Sequence, residues 1–411
     1  MRCFLTEIMI VTACIAAGAV MAADDAATVL AERLAPHVGQ TLDLVELGTG
    51  KRLVRPTLVG LTERKDAVTA LRLRAEGETK TVSVSLAGIV KIIAARETVY
   101  ELSGAGGSAA QLRGRRAREA YERQLQASAE RMRERGVEPW PPLSAAGHAE
   151  QVAALEAFVA DAKAAFPALE TAETHEFLVA TDIPGGQIAP YLANLDAMHD
   201  FLCDLYAIPR GEPVWLGKCL VVAFASEDDF RAFEGRFFDG APRGVHGLCH
   251  QRSDGRVVMA CHRGDDASAF GHMLVHETSH GFNHRWKSPE RLPNWLNEGI
   301  AEWVGTQVVP ACRQVPLKEA RALELMRARR SLGDGFFDPD PDFHIQPDQY
   351  GIASSLVRFM VARDRKKFAA FVQGIKEGLD VETSLQQSYR GSLADLVQAY
   401  GKAIGVPDLA P

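Results

Sequence analysis

The chain has 411 residues, room for two or three domains of ordinary size. A hydrophobic share of 47% and a charged share of 24% exclude wholesale disorder and fibrous repeats, because enough apolar surface is present to fill a core. Lysine plus arginine number 46 against 53 aspartate plus glutamate, a net charge of −7, so nothing favours nucleic acid as a partner.

In chain order, residues 1–22 read as a signal peptide: Arg2 precedes an apolar stretch, and Val20-Met21-Ala22 supplies the small-residue pattern of a cleavage site. Residues 11–14, VTAC, also look like the box ahead of a lipid-modified cysteine, so anchoring at Cys14 is the alternative. No later segment reaches the roughly 18 uninterrupted apolar residues of a membrane span, and the expectation is an exported, soluble protein. Export removes Cys3 and Cys14 and leaves Cys203, Cys219, Cys249, Cys261 and Cys312 in an oxidising compartment. Cys249 and Cys261, flanking the turn signal Ser253-Asp254-Gly255-Arg256, are one expected pair, Cys203 with Cys219 a weaker one, and buried free thiols the competing reading.

Residues 23–103 predict a small β module. Leu71 and Leu73 alternate with Arg72 and Arg74, and Val82, Val84 and Leu86 alternate with Thr81, Ser83 and Ser85. Breaks about every ten residues suit a bent sheet or barrel of about five strands, similar to the small Sm-like barrels attached to exported bacterial proteins; a partner for this module is not specified. Residues 103–108, SGAGGS, form a joint, and residues 104–170 a helical linker. Its first helix carries eight arginines against four glutamates over residues 113–135, which suits a solvated connector or, alternatively, a dock for an anionic surface.

From residue 171 to 405 the order reads strand (175–181), helix (188–206), strand (219–224), a helix capped by Ser226, a hairpin over 245–262, and then helices. Strands first and helices last make the fold class α+β.

Seven of the twelve histidines fall within residues 246–284, among them His276-Glu277-Thr278-Ser279-His280. On a helix, positions i and i+4 share a face, so both imidazoles can reach one zinc ion, while Glu277 sits about 100° around the axis, beside a bound water. A histidine six residues past His280 would continue the metzincin pattern, but position 286 is Trp. Instead Asn297-Glu298-Gly299 stands on the next helical segment, 292–303, and nominates Glu298 as third ligand.

These residues resemble the gluzincin peptidases, the group that includes thermolysin and the zinc aminopeptidases. The resemblance covers residues 270–305 closely and 175–400 in layout. It implies one catalytic Zn2+ held by His276, His280 and Glu298, an open position for water, and Glu277 as general base against a peptide bond. Glu302, one turn after Glu298, is the expected acceptor for the second ring nitrogen of His276. Tyr350, at a helix start 52 residues after Glu298, is the expected oxyanion donor, with His344 and His284 as alternates. Residues 256–261 match the edge strand along which a substrate peptide would add. The G-x-M-E-N pattern of aminopeptidases is absent, which favours an endopeptidase. Asp334, Asp338, Asp340 and Asp342 form an acidic loop that suits solvent, calcium or a lid. The rivals are an inactive scaffold of the same fold and a zinc amidase acting on cell-wall crosslinks.

Overall fold

The computed structural model describes residues 34–411 apart from 48–50, 65–66, 76–77, 95–96, 102–108, 210–211, 242 and 341. The expected signal peptide, Cys3, Cys14 and the expected joint over 103–108 lie outside the described residues. The chain divides into two compact units, up to Arg115 and from Arg116 onward.

Among the described residues of the first unit seven strands form two antiparallel sheets. β1 (Leu44–Leu47), β2 (Arg52–Val54), β6 (Ile89–Ala94) and β7 (Glu97–Glu101) order as β2-β1-β6-β7, and β3 (Thr57–Arg64), β4 (Ala67–Arg74) and β5 (Thr81–Ser85) as β3-β4-β5. Among the described residues no closed ring of strands is formed; two sheets share one apolar core containing Val45, Leu58, Leu71, Leu73 and Ile92. Leu71 and Leu73 point inward as the alternation requires; opposite Leu73, Val82 is 42% exposed, because β5 is an edge strand.

Helix α1 (Ala109–Glu134) runs across the division, its larger part in the second unit, and α2 (Ala145–Ala165) follows. Both were expected to link domains, but they pack into this unit. Leu155, Val159 and Ala162 of α2 are buried against the sheet. Arg131 of α1 donates to Glu377 at 2.8 and 2.9 Å and Ser128 donates to it at 2.5 Å. Arg131, and Arg135 just beyond the helix end, therefore answer a buried carboxylate.

The sheet comprises β8 (Glu170–Glu173), β9 (Phe177–Thr181), β10 (Cys219–Phe224), β11 (Gly247–Gln251) and β12 (Val257–His262), in the order β11-β12-β10-β9-β8. β9, β10 and β12 run parallel and are buried along their whole length, which is why they read as unbroken apolar runs. β8 lacks such a run and escaped the sequence reading. α2 and α4 (Glu227–Phe237) cover one face. On α4, Ser226 caps as expected, its Oγ accepting from the Asp229 amide at 3.1 Å.

The other face carries α3 (Gly185–Leu205), α5 (Ala267–Arg285) and α6 (Asn294–Val308), followed by α7 (Gln314–Arg329), α8 (Tyr350–Arg363), α9 (Arg365–Lys376), α10 (Val381–Tyr389) and α11 (Leu393–Ala403). The molecule is thus a mixed α+β chain with its sheets first and its helical part last.

Two expectations are corrected here. The edge strand is β11, residues 247–251, whereas 257–262 lie between β11 and β10; the antiparallel hairpin folds the first strand outward. All five described cysteines are free. A loop over 252–256 sets Cys249 opposite Met259, leaving Cys261 one diagonal step away and out of disulfide register.

Candidate metal centre

α5 is started by Asp266, whose carboxylate accepts the amides of Ser268 and Ala269 at 2.8 and 3.1 Å. It lies hard against the hairpin. A Cβ on Gly281 would stand 2.5 Å from Val257 Cγ1 and 3.2 Å from Cys249 Sγ, and one on Gly247 would stand 2.5 Å from Met273 Sδ. These two contacts hold the helix turn that carries His276 and His280 alongside the edge strand. The return to α6 is locked by Lys376, fully buried at the end of α9. Its Nζ donates to the carbonyls of Ser288, at 2.6 Å, and of Glu290, while Ser288 Oγ donates to the Lys376 carbonyl at 2.5 Å. α6 then packs on α8 through Gly299, where a Cβ would meet the Ala353 carbonyl oxygen at 2.6 Å.

The result is convergence. His276 Nε2 and His280 Nε2 lie 3.1 Å apart, and Glu298 Oε2 lies 3.2 Å from the first and 3.5 Å from the second. A tetrahedral ion with bonds of about 2.0–2.1 Å separates its ligand atoms by about 3.3–3.4 Å, so the three atoms already occupy three corners of such a shell. Glu298 Oε2 is buried with only the two imidazole nitrogens close to it, so a proton on them or a cation among them is what offsets its desolvation. Burial works against the charged form of His280, but the Glu298 carboxylate outweighs it and holds the imidazole pKa up at about 9. Burial would raise Glu298 in turn, yet His280 and His276 draw it well below the usual carboxylate range. The pocket is built for positive charge. Among the described residues this group alone, of three ligands and no fourth, could hold a metal ion.

Glu277 is half-buried on the same helix, and burial pushes its pKa above the ordinary value against the pull of His276 and His280. Glu302 is 1% exposed; its Oε1 lies 4.0 Å from His276 Nδ1, in place as a neighbour but beyond hydrogen-bond length. Tyr350 opens α8 half-buried, its phenol pushed up first by burial and then by the negative charge of Glu298, Glu302 and Glu277.

The alternates stand elsewhere. His284 Nε2 is 3.2 Å from the Arg252 carbonyl and its ring packs edge-on to Trp140. His344 is exposed, with Nδ1 3.5 Å from Asn294 Nδ2. In the acidic loop, Asp338 and Asp340 accept the amides of Asp340 and Asp342 at 2.9 Å, and Arg291 pairs with Asp342 at 2.6 Å, which accounts for these carboxylates locally.

Two site residues were missed. His272, one turn before His276, has Nε2 3.6 Å from Glu302 Oε2; the four-residue spacing could have flagged it. Lys318 reaches Glu302 Oε1 at 2.5 Å from α7, and no local signal announces it. No protein-family model matches the chain, and no curated protein matches it.

Proposed function

We propose that this chain is a zinc-dependent peptidase of gluzincin type. The observation that carries the reading is the mutual spacing of His276 Nε2, His280 Nε2 and Glu298 Oε2, at 3.1, 3.2 and 3.5 Å. Three protein ligands of this kind suit a catalytic rather than a structural zinc, because one corner is left for solvent or substrate. When bound there, the ion would supply Lewis acidity and an acidified water at neutral pH.

The chain's own groups supply the rest. Glu277, raised by burial and one residue from His276, is suited to take a proton from the attacking water and return it to the leaving amine. Tyr350 keeps its phenolic proton and can donate it toward an oxyanion. β11 has no strand on its outer side among the described residues, so an extended peptide could pair with it beside α5. An open strand that takes peptide backbone, without the G-x-M-E-N pattern for a free N-terminus, supports an endopeptidase. The leader-like residues 1–22 support export, and no helix among the described residues is long and apolar enough to cross a membrane.

The test is hydrolysis of an unstructured protein such as casein. Glu277→Gln should keep zinc and lose about 10²–10⁴-fold in turnover, whereas His280→Ala should lose both zinc and turnover. Equal activity in wild type and Glu277→Gln removes the general-base assignment. Zinc bound without hydrolysis points to the scaffold reading, and cleavage of peptidoglycan crosslinks but not casein to the amidase reading.

A further inference from the structure

The carboxylate of Glu302 is 2% exposed, in a pocket whose other occupants cannot all neutralise it. His272, its neighbour at 3.6 Å, is buried and its Nε2 makes no hydrogen bond, so it does not clamp the carboxylate. His276 is occupied with the metal group. The standing positive charge beside Glu302 comes from Lys318, whose Nζ is 2.5 Å from Oε1. The same ammonium lies 5.6 Å from the centroid of the Tyr350 ring. Its backbone joins in: a Cβ on Gly351, the residue after Tyr350, would collide with the Lys318 carbonyl. The next residue, Glu319, clamps α7 to α8 from the other side, accepting from Ser354 Oγ at 2.8 Å and from Arg358 at 2.6 Å. Lys318 therefore sits where three helices meet, with its charge on the α6 carboxylate and its stem against the start of α8.

We propose that Lys318 is a positioning residue that couples the metal-ligand helices to the tyrosine helix, setting Glu302 toward His276 and fixing the Tyr350 ring beside the metal group. This rests on the peptidase reading above. Glu302 Oε1 is held by Lys318 at 2.5 Å and stands 4.0 Å from His276 Nδ1, so the ammonium sets how near the acceptor comes to the ring nitrogen. An acceptor there fixes the ring orientation and raises the basicity of Nε2 toward a metal. Without the ammonium, the buried carboxylate has no fixed counter-charge and no fixed rotamer.

The experiment compares wild type with Lys318→Met, Lys318→Arg and Glu319→Ala in the full chain, reading zinc affinity by competition with a chromogenic chelator and, separately, kcat and KM on casein. Glu319→Ala loosens the same helix pair without touching Glu302 and controls for packing. Lys318→Met should weaken zinc about 10–100-fold and lower kcat with KM changed less than about twofold, Lys318→Arg should restore most of both, and Glu319→Ala should leave zinc affinity unchanged. Lys318→Met with wild-type zinc affinity and kcat overturns the proposal, as does an equal zinc loss in Glu319→Ala. A wild type that holds no zinc sinks the peptidase reading as well, whereas a zinc-loaded, active wild type matched by Lys318→Met sinks this inference alone.

Discussion

His280 carries a proton that an incoming cation must displace. Its pKa is raised from an ordinary value near 6.5 to about 9 by the Glu298 carboxylate. A raised value favours the folded metal-free protein fully below about 6.5, and that contribution is lost as the pH rises through about 9. Metal binding releases the same proton between those limits, so affinity should climb by up to about tenfold per pH unit from 6.5 to 9. Thermal unfolding with and without zinc at several pH values checks this: the zinc-induced rise in Tm should grow over that window. Tyr350 gives a second prediction. If the phenol donates to the oxyanion, Tyr350→Phe should lower kcat about 10²–10³-fold while zinc content stays at the wild-type level. At this scale the sequence was informative because His276, Glu277 and His280 are fixed relative to one another by one helix, and Glu298 by its place on the next. Glu302 stands near His276 for the same reason, though its carboxylate is 4.0 Å from Nδ1 and bonded to Lys318 instead. Lys318 was not, because its contact with Glu302 spans two elements and depends on how α7 lies on α8.

Between elements, geometry is set by close approaches. His280, Glu298 and Tyr350 are each followed by a glycine at which the helix backbone touches its neighbour: Gly281 on the hairpin, Gly299 on α8, Gly351 on α7. Gly299 faces a carbonyl oxygen, which cannot turn aside as a side chain can. Gly299→Ala should therefore push α6 off α8 and cost about 1–3 kcal/mol, measurable by urea denaturation, with a loss of metal affinity beyond that of an equally destabilised variant elsewhere. The α1 contact makes a different prediction. Glu377 is the shared acceptor of Ser128 and Arg131 and lies 3.7 Å from the buried Lys287, so Glu377→Ala leaves cations without their partner and should cost roughly 3–5 kcal/mol in the same measurement. Hairpin order was the element-level misreading. Residues 257–261 form an apolar run that precedes α5 directly, and the sequence does not state which strand of a hairpin faces outward. β11, reading Gly247-Leu248-Cys249-His250-Gln251, has no apolar run like Val257-Val258-Met259-Ala260 of the strand it shields, so it looks less like a strand.

The whole chain resolves into two units, and the candidate metal centre belongs wholly to the second. A chain beginning at residue 109, which keeps α1 intact, should fold and bind zinc as tightly as the full chain; chelator competition on both checks it, and a loss of affinity would assign the first unit a part in the site. The α+β class and the apolar strands β9, β10 and β12 were readable from run length and spacing. The integration of α1 and α2 was not, since their docking relies on Glu377 and on the back of a sheet assembled later in the chain. The measurement that tests the central claim most directly is metal content with X-ray absorption on the purified protein. One zinc per chain is expected, with two imidazole nitrogens and two oxygens at about 2.0–2.2 Å, one oxygen being lost in Glu298→Ala. A wild type without zinc, or a shell unchanged in Glu298→Ala, would contradict the convergence of His276, His280 and Glu298 on one ion.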